Sequence, residues 1–178
     1  QYEDNARDDI GERYLSYMRS FYEGIAAHGL PATAEPPAPG GVRTVEGYRL
    51  DWNMQREGHA FGIVLFQLGD WLPRLQQAER TAPRVLEGPR YATQTVRVDI
   101  PLGWSIAPEQ EKVENPWFTF ERSVSVDGDD LVVAGSWRRH ADEVPAAGYA
   151  RFRSDMAAAR ELLVYDVDLD GKPAIFSA

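Results

Sequence analysis

The chain has 178 residues, of which 43% are hydrophobic, 26% charged and 11% aromatic, the proportions of an ordinary folded domain. A chain of this length removes roughly 70% of its unfolded surface from water and needs no covalent staple, and with no cysteine it excludes disulfides, thiolate metal sites and cysteine nucleophiles. The 19 Lys and Arg against 28 Asp and Glu give a net charge of -9, a field that opposes nucleic acid and anionic membranes as partners.

No stretch approaches the roughly 20 apolar residues of a spanning helix, so no membrane insertion is expected. The acidic start Gln1-Tyr2-Glu3-Asp4 is the reverse of a signal-peptide n-region, and a chain opening on Gln1 is expected to be a mature or excised piece. Residues 5 to 23 read as a helix, because Ile10, Tyr14, Tyr17, Met18 and Phe21 recur every three or four positions. Pro31 to Gly41 holds four prolines and two glycines and reads as a solvated loop. After it the period becomes two. Val42 to Leu50 forms one candidate strand and Phe61 to Leu68 a second, apolar enough to be central in a sheet. Residues 70 to 79 suggest a short helix, with Pro73 set against it.

Thr93 to Ile100 alternates as a strand, with Val96, Val98 and Ile100 on its apolar face. Phe118 to Val126 and Leu131 to Trp137 flank Asp127-Gly128-Asp129-Asp130 and read as an antiparallel hairpin. Tyr149, Phe152, Met156, Ala159 and Leu163 step at helical intervals behind Pro145. A helix, then strands, then a helix is not a βαβα alternation. The expected fold is therefore α+β: a mostly antiparallel sheet or sandwich with an N-terminal and a C-terminal helix packed on it, one domain over 1–178, with residues 171–178 a disordered tail.

Asp166, Asp168, Asp170 and Gly171 reproduce the first half of a calcium loop, but position twelve, where a bidentate glutamate closes the coordination, is Ser177. A terminal strand with acids on its wet face explains the pattern as well, and no metal or other cofactor is expected. His28, His59 and His140 are too scattered for a zinc set. His140-Ala-Asp142 has no serine elbow to serve, and Ser105 and Ser136 sit in apparent strands beside Trp104 and Trp137. Glu109, Glu111 and Glu114 crowd what reads as a loop, the raw material of a two-carboxylate hydrolase. Of the five tryptophans, Trp52 and Trp117, beside Asn53 and Pro116, are the candidates for an exposed sugar- or peptide-binding surface.

Three stretches together carry a family resemblance. Arg13 to Ile25 followed by Val45-Glu46-Gly47-Tyr48, then Arg84 to Pro89 leading into Thr95 to Trp104, and finally Glu114 to Phe120, Val126-Asp-Gly, Asp142 to Pro145 and Leu163-Val-Tyr165, resemble the region after the catalytic core in bacterial exported transglutaminase-like proteins. Those proteins join a domain of unknown function, a transglutaminase-like core and a C-terminal β-rich region. Their Cys-His-Asp triad belongs to the core, and no position here takes its nucleophile. The resemblance implies a non-catalytic C-terminal accessory domain, periplasmic or exported, that positions or shields the adjacent core of the same parent. The alternative is an independent sugar- or peptide-binding module using exposed tryptophans.

Overall fold

A computed structural model of the chain describes residues 12, 15–20, 22, 24–29, 32–34, 43–49, 60–75, 79–99 and 106–168. The chain divides into two compact units, Gln1–His59 and Ala60–Ala178. The first holds helical residues 15–19 and two short antiparallel pairs: β1 (Ala26–Ala27) with β4 (Tyr48–Arg49), and β2 (Ala32–Ala34) with β3 (Arg43–Val45). The stretch read as one strand over 42–50 is thus two strands with different partners. The break falls at Gly47, whose carbonyl accepts the His28 amide at 2.8 Å. The rest of the helix read over 5–23, and most of the proline-rich loop, lie outside the described residues.

The second unit is built on a four-stranded antiparallel sheet in the order β7-β10-β9-β8, from β7 (Tyr91–Asp99), β10 (Asp130–Arg139), β9 (Phe118–Asp127) and β8 (Glu109–Glu114). The mostly antiparallel α+β class read from the sequence is what the structure has. The β9–β10 hairpin closes through Gly128 at φ 66, a left-handed conformation that glycine adopts without a Cβ penalty. Exposed Arg97 clamps the turn, donating to Asp127 at 2.7 Å and Asp130 at 2.9 Å. One face of the sheet carries Leu131, Val133 and Trp137 of β10 with Phe118, Phe120 and Val124 of β9, all buried. Two helices cover that face.

The C-terminal helix, α2 (Tyr149–Glu161), follows a 3-10 turn at Ala146–Gly148 and buries Tyr149, Phe152, Met156 and Ala159, the stripe read from the sequence. Phe152 meets Phe118 edge-on at 5.7 Å between centroids, and Phe118 stacks on Trp137 at 4.9 Å. Such ring pairs add to the burial term.

The other helix departs from the sequence reading. The apolar run at 61–68 is β5 (Ala60–Val64), paired with β12 (Val164–Asp168) in a two-stranded sheet, and the chain then turns into α1 (Phe66–Trp71). The short helix expected at 70–79 therefore begins four residues earlier and stops before Pro73. Two residues of the large sheet account for this. Gln94 of β7, itself buried, accepts the amides of Gln67 at 2.9 Å and Leu68 at 3.4 Å through Oε1. It does for the first turn what a side-chain cap would do. Its register partner Gly135 leaves room for the helix: a Cβ there would lie 2.6 Å from Leu65 and 2.7 Å from Leu68. A second two-stranded pair of this unit joins β6 (Arg84–Val85) to β11 (Glu143–Val144).

Candidate ligand-binding cleft

The residues singled out from the sequence are dispersed. Trp52, His59, Trp104, Ser105 and Asp170 lie outside the described residues. Trp117 is half-buried as a wedge in the β8–β9 turn, edge-on to Phe152 at 5.9 Å. Gly148 is what admits it, since a Cβ at that position would overlap the indole. Asn115 builds the turn: its Oδ1 accepts the amides of Trp117 and Phe118, both at 2.9 Å, and its Nδ2 donates to Asp155 of α2 at 2.9 Å. Asp166 and Asp168 lie on β12, opposite Gly62 and Ala60 of β5, with Asp166 exposed. A strand holds alternate residues apart along its length, the opposite of a loop that wraps an ion. Among the described residues, no three His, Asp or Glu side chains come together as a metal set.

Glu109, Glu111 and Glu114 are not in a loop: all three belong to the edge strand β8. Glu109 and Glu111 face Arg122, a side chain only 9% exposed. Its guanidinium pairs with Glu111, lies 3.6 Å from Glu109, donates to the Val164 carbonyl at 2.7 Å and sits 5.4 Å from the ring centroid of Tyr165. Glu114 points to the other face and pairs with Lys112 at 2.8 Å, a bond that holds its carboxyl below the usual range. The acids are therefore split between two cations rather than opposed across a cleft. Gln94, Gly135, Arg122 and Glu111 occupy one rung of the sheet, a polar line through an apolar face that ties α1 on one side and β12 on the other.

His140 bonds the Thr119 hydroxyl through Nε2 at 2.7 Å. Thr119 is buried, and the carboxylate of Asp142 is bonded by Arg90 at 2.7 Å instead of orienting His140. A buried hydroxyl and a base without an orienting group are half of a catalytic arrangement.

A concave feature of this unit lies elsewhere, at the exit of α1. A cavity of about 640 Å³ is lined by apolar Trp71, Leu72, Pro73, Pro83 and Val85, by Arg74, Arg80 and Arg84, and by Asp70, Glu87 and Gly88. Its size is that of a ligand site. Trp71 is 51% exposed and Val85 65%. Arg84 donates to the Arg74 carbonyl at 3.4 Å, and its Nε is buried without a partner. Behind the cleft, Arg160 of α2 donates to the Leu72 carbonyl at 2.8 Å. Burial, and then the charge of Arg74, hold its guanidinium below the usual arginine value. Two carboxylates, Asp70 and Glu87, face three arginines on the lining, and Asp70 lies 3.9 Å from Arg74. The sequence reads residues 70 to 79 as a short helix and assigns no ligand to them. The signal was there in Trp71-Leu-Pro73 followed by Arg74, Arg80 and Arg84 within an acidic chain.

No family model and no curated protein matches the chain. Among solved structures, a candidate protease from Parabacteroides distasonis is similar with a TM-score of 0.51 at 14% identity, over 66% of this chain. That likeness concerns the fold. The aligned part spans 25% of the other chain, so an arrangement of this kind occurs within a much longer protein.

Proposed function

We propose that this chain is a non-catalytic accessory module of a longer, exported protein, positioning or shielding a neighbouring transglutaminase-like or protease-like core. The observation that carries the reading is the recurrence of the fold as a quarter of a longer chain named a candidate protease. The stretches from Arg13 to Tyr165 that resemble the region after a transglutaminase-like core support it from the sequence side. The chemistry agrees: acyl transfer of that kind needs an activated nucleophile held by a base, and the chain has no thiol. Measured on the isolated chain, amine incorporation into a glutamine peptide is expected to equal that of a heat-denatured control, and turnover above the control overturns the reading. In the parent protein, deletion of residues 1–178 is expected to lower solubility or substrate turnover.

The second reading, a binding module, is favoured by a different observation: the cleft beside Trp71 has ligand-site volume, an exposed indole and three arginines on its lining.

A further inference from the structure

We infer that the Trp71 cleft binds an extended acidic peptide segment, a chain carrying carboxylates interleaved with proline or aliphatic side chains. This rests on the binding-module reading and is independent of whether a transglutaminase-like core adjoins the chain.

The charge argument comes first. In a chain of net charge -9, Arg90, Arg97 and Arg151 of the second unit have carboxylate partners in Asp142, in Asp127 with Asp130, and in Asp155. Among the described residues, neither Arg84 nor Arg160 makes an ion pair; both donate to backbone carbonyls, of Arg74 and Leu72. Arg74 has only Asp70, at 3.9 Å and with both side chains largely exposed, an arrangement of small energetic value. A carboxylate seated between Arg74 and Arg84 supplies acceptors to both. Arginine suits this task because its planar fork meets a carboxylate in two places.

The apolar half of the lining selects the rest of the ligand. Trp71 offers an indole beside Gly88, and Pro73, Pro83 and Val85 complete an apolar wall. Prolines lack an amide hydrogen, so the wall offers fewer backbone donors than its length suggests and presents surface to prolyl or aliphatic side chains instead. Aromatic-lined grooves with this composition receive extended, proline-containing chains. Trp71 and Val85 are 51% and 65% exposed, so this apolar wall is open to a segment of a longer chain.

The test uses the whole 178-residue chain and a fluorescein-labelled decapeptide in which Glu alternates with Pro and Leu, read by fluorescence anisotropy beside its Glu→Gln counterpart. The acidic peptide is expected to bind, to weaken as salt rises, and to lose about tenfold or more in affinity in Trp71→Ala and in Arg74→Glu. Both side chains are exposed, so these variants keep the fold, which an unchanged thermal midpoint verifies. Arg97→Ala, an arginine at the far hairpin, is expected to bind as the parent chain does. Equal binding of the Gln peptide overturns the acidic specificity while leaving a peptide module in place. No binding at millimolar peptide, or unaltered binding by both cleft variants, overturns the site itself. Tighter binding of polygalacturonate than of the peptide assigns the cleft to an acidic glycan and overturns the peptide assignment. None of these results bears on the effect of deleting the module from its parent, so the accessory reading is judged separately.

Discussion

Single residues decide where α1 forms and how closely it packs. Gly135 lies mid-strand in β10, and a methyl group there would meet Leu65 and Leu68 at 2.6 and 2.7 Å. Both leucines are fully buried and cannot retreat without disturbing their own contacts. Gly135→Ala is expected to destabilise the chain by about 1 to 3 kcal/mol through overpacking, read as a lower denaturation midpoint, and an unchanged midpoint would show that α1 moves freely on the sheet. Tyr165 makes a second prediction at this scale. Burial, and then the charge of Glu109, raise its phenol above the ordinary tyrosine value, with Arg122 opposing. A raised value in the folded state means that the folded chain holds its proton over a window above about pH 10, the ordinary tyrosine range. In that window the unfolded chain binds fewer protons, so stability falls as pH rises. Tyr165→Phe is expected to show a shallower alkaline loss of stability than the parent, and superimposable profiles would contradict it. Neither Gln94 nor Gly135 was legible as a helix determinant, because a cap from another strand has no signature in local sequence.

At the scale of elements, legibility followed how completely a local pattern determines an outcome. The β9–β10 hairpin was readable because alternation and an Asp-Gly turn specify both pairing and register within one short stretch. The α2 stripe was readable because thirteen residues sample a helical period several times. The run at 61–68 was not, since a short apolar segment satisfies strand and helix alike. The edge strand β8, Glu-Gln-Glu-Lys-Val-Glu, reads as a loop in the sequence because its charges are those of an exposed edge rather than of a core strand. Charged edges are a common protection against unwanted pairing, and here Arg122 and Lys112 neutralise them. The packing of α2 is open to direct measurement. Phe152 is fully buried against Phe118 and Trp117, so Phe152→Ala is expected to cost about 3 to 5 kcal/mol, and a loss under about 1 kcal/mol would mean that the site collapses around the cavity.

At the scale of the whole molecule, the acidic charge and the missing calcium-loop glutamate make a joint prediction. Titration calorimetry is expected to show no micromolar calcium binding, because Asp166 and Asp168 are held along an extended strand rather than around an ion. A micromolar constant abolished by Asp168→Ala would reverse this. The sequence by itself determined the absence of thiol chemistry, the α+β class, the central hairpin and the buried face of the last helix. Each follows from composition or from a repeat contained within a few turns or strand residues. Only the tertiary structure decided that the acids of 109–114 divide between two cations, that an apolar strand gives way to α1 over Gly135, and that Trp71 meets Arg74 and Arg84 around a cleft. Those outcomes depend on which side chains distant strands and turns bring together, and long-range proximity is set by sheet register and helix packing, which no local window of residues encodes.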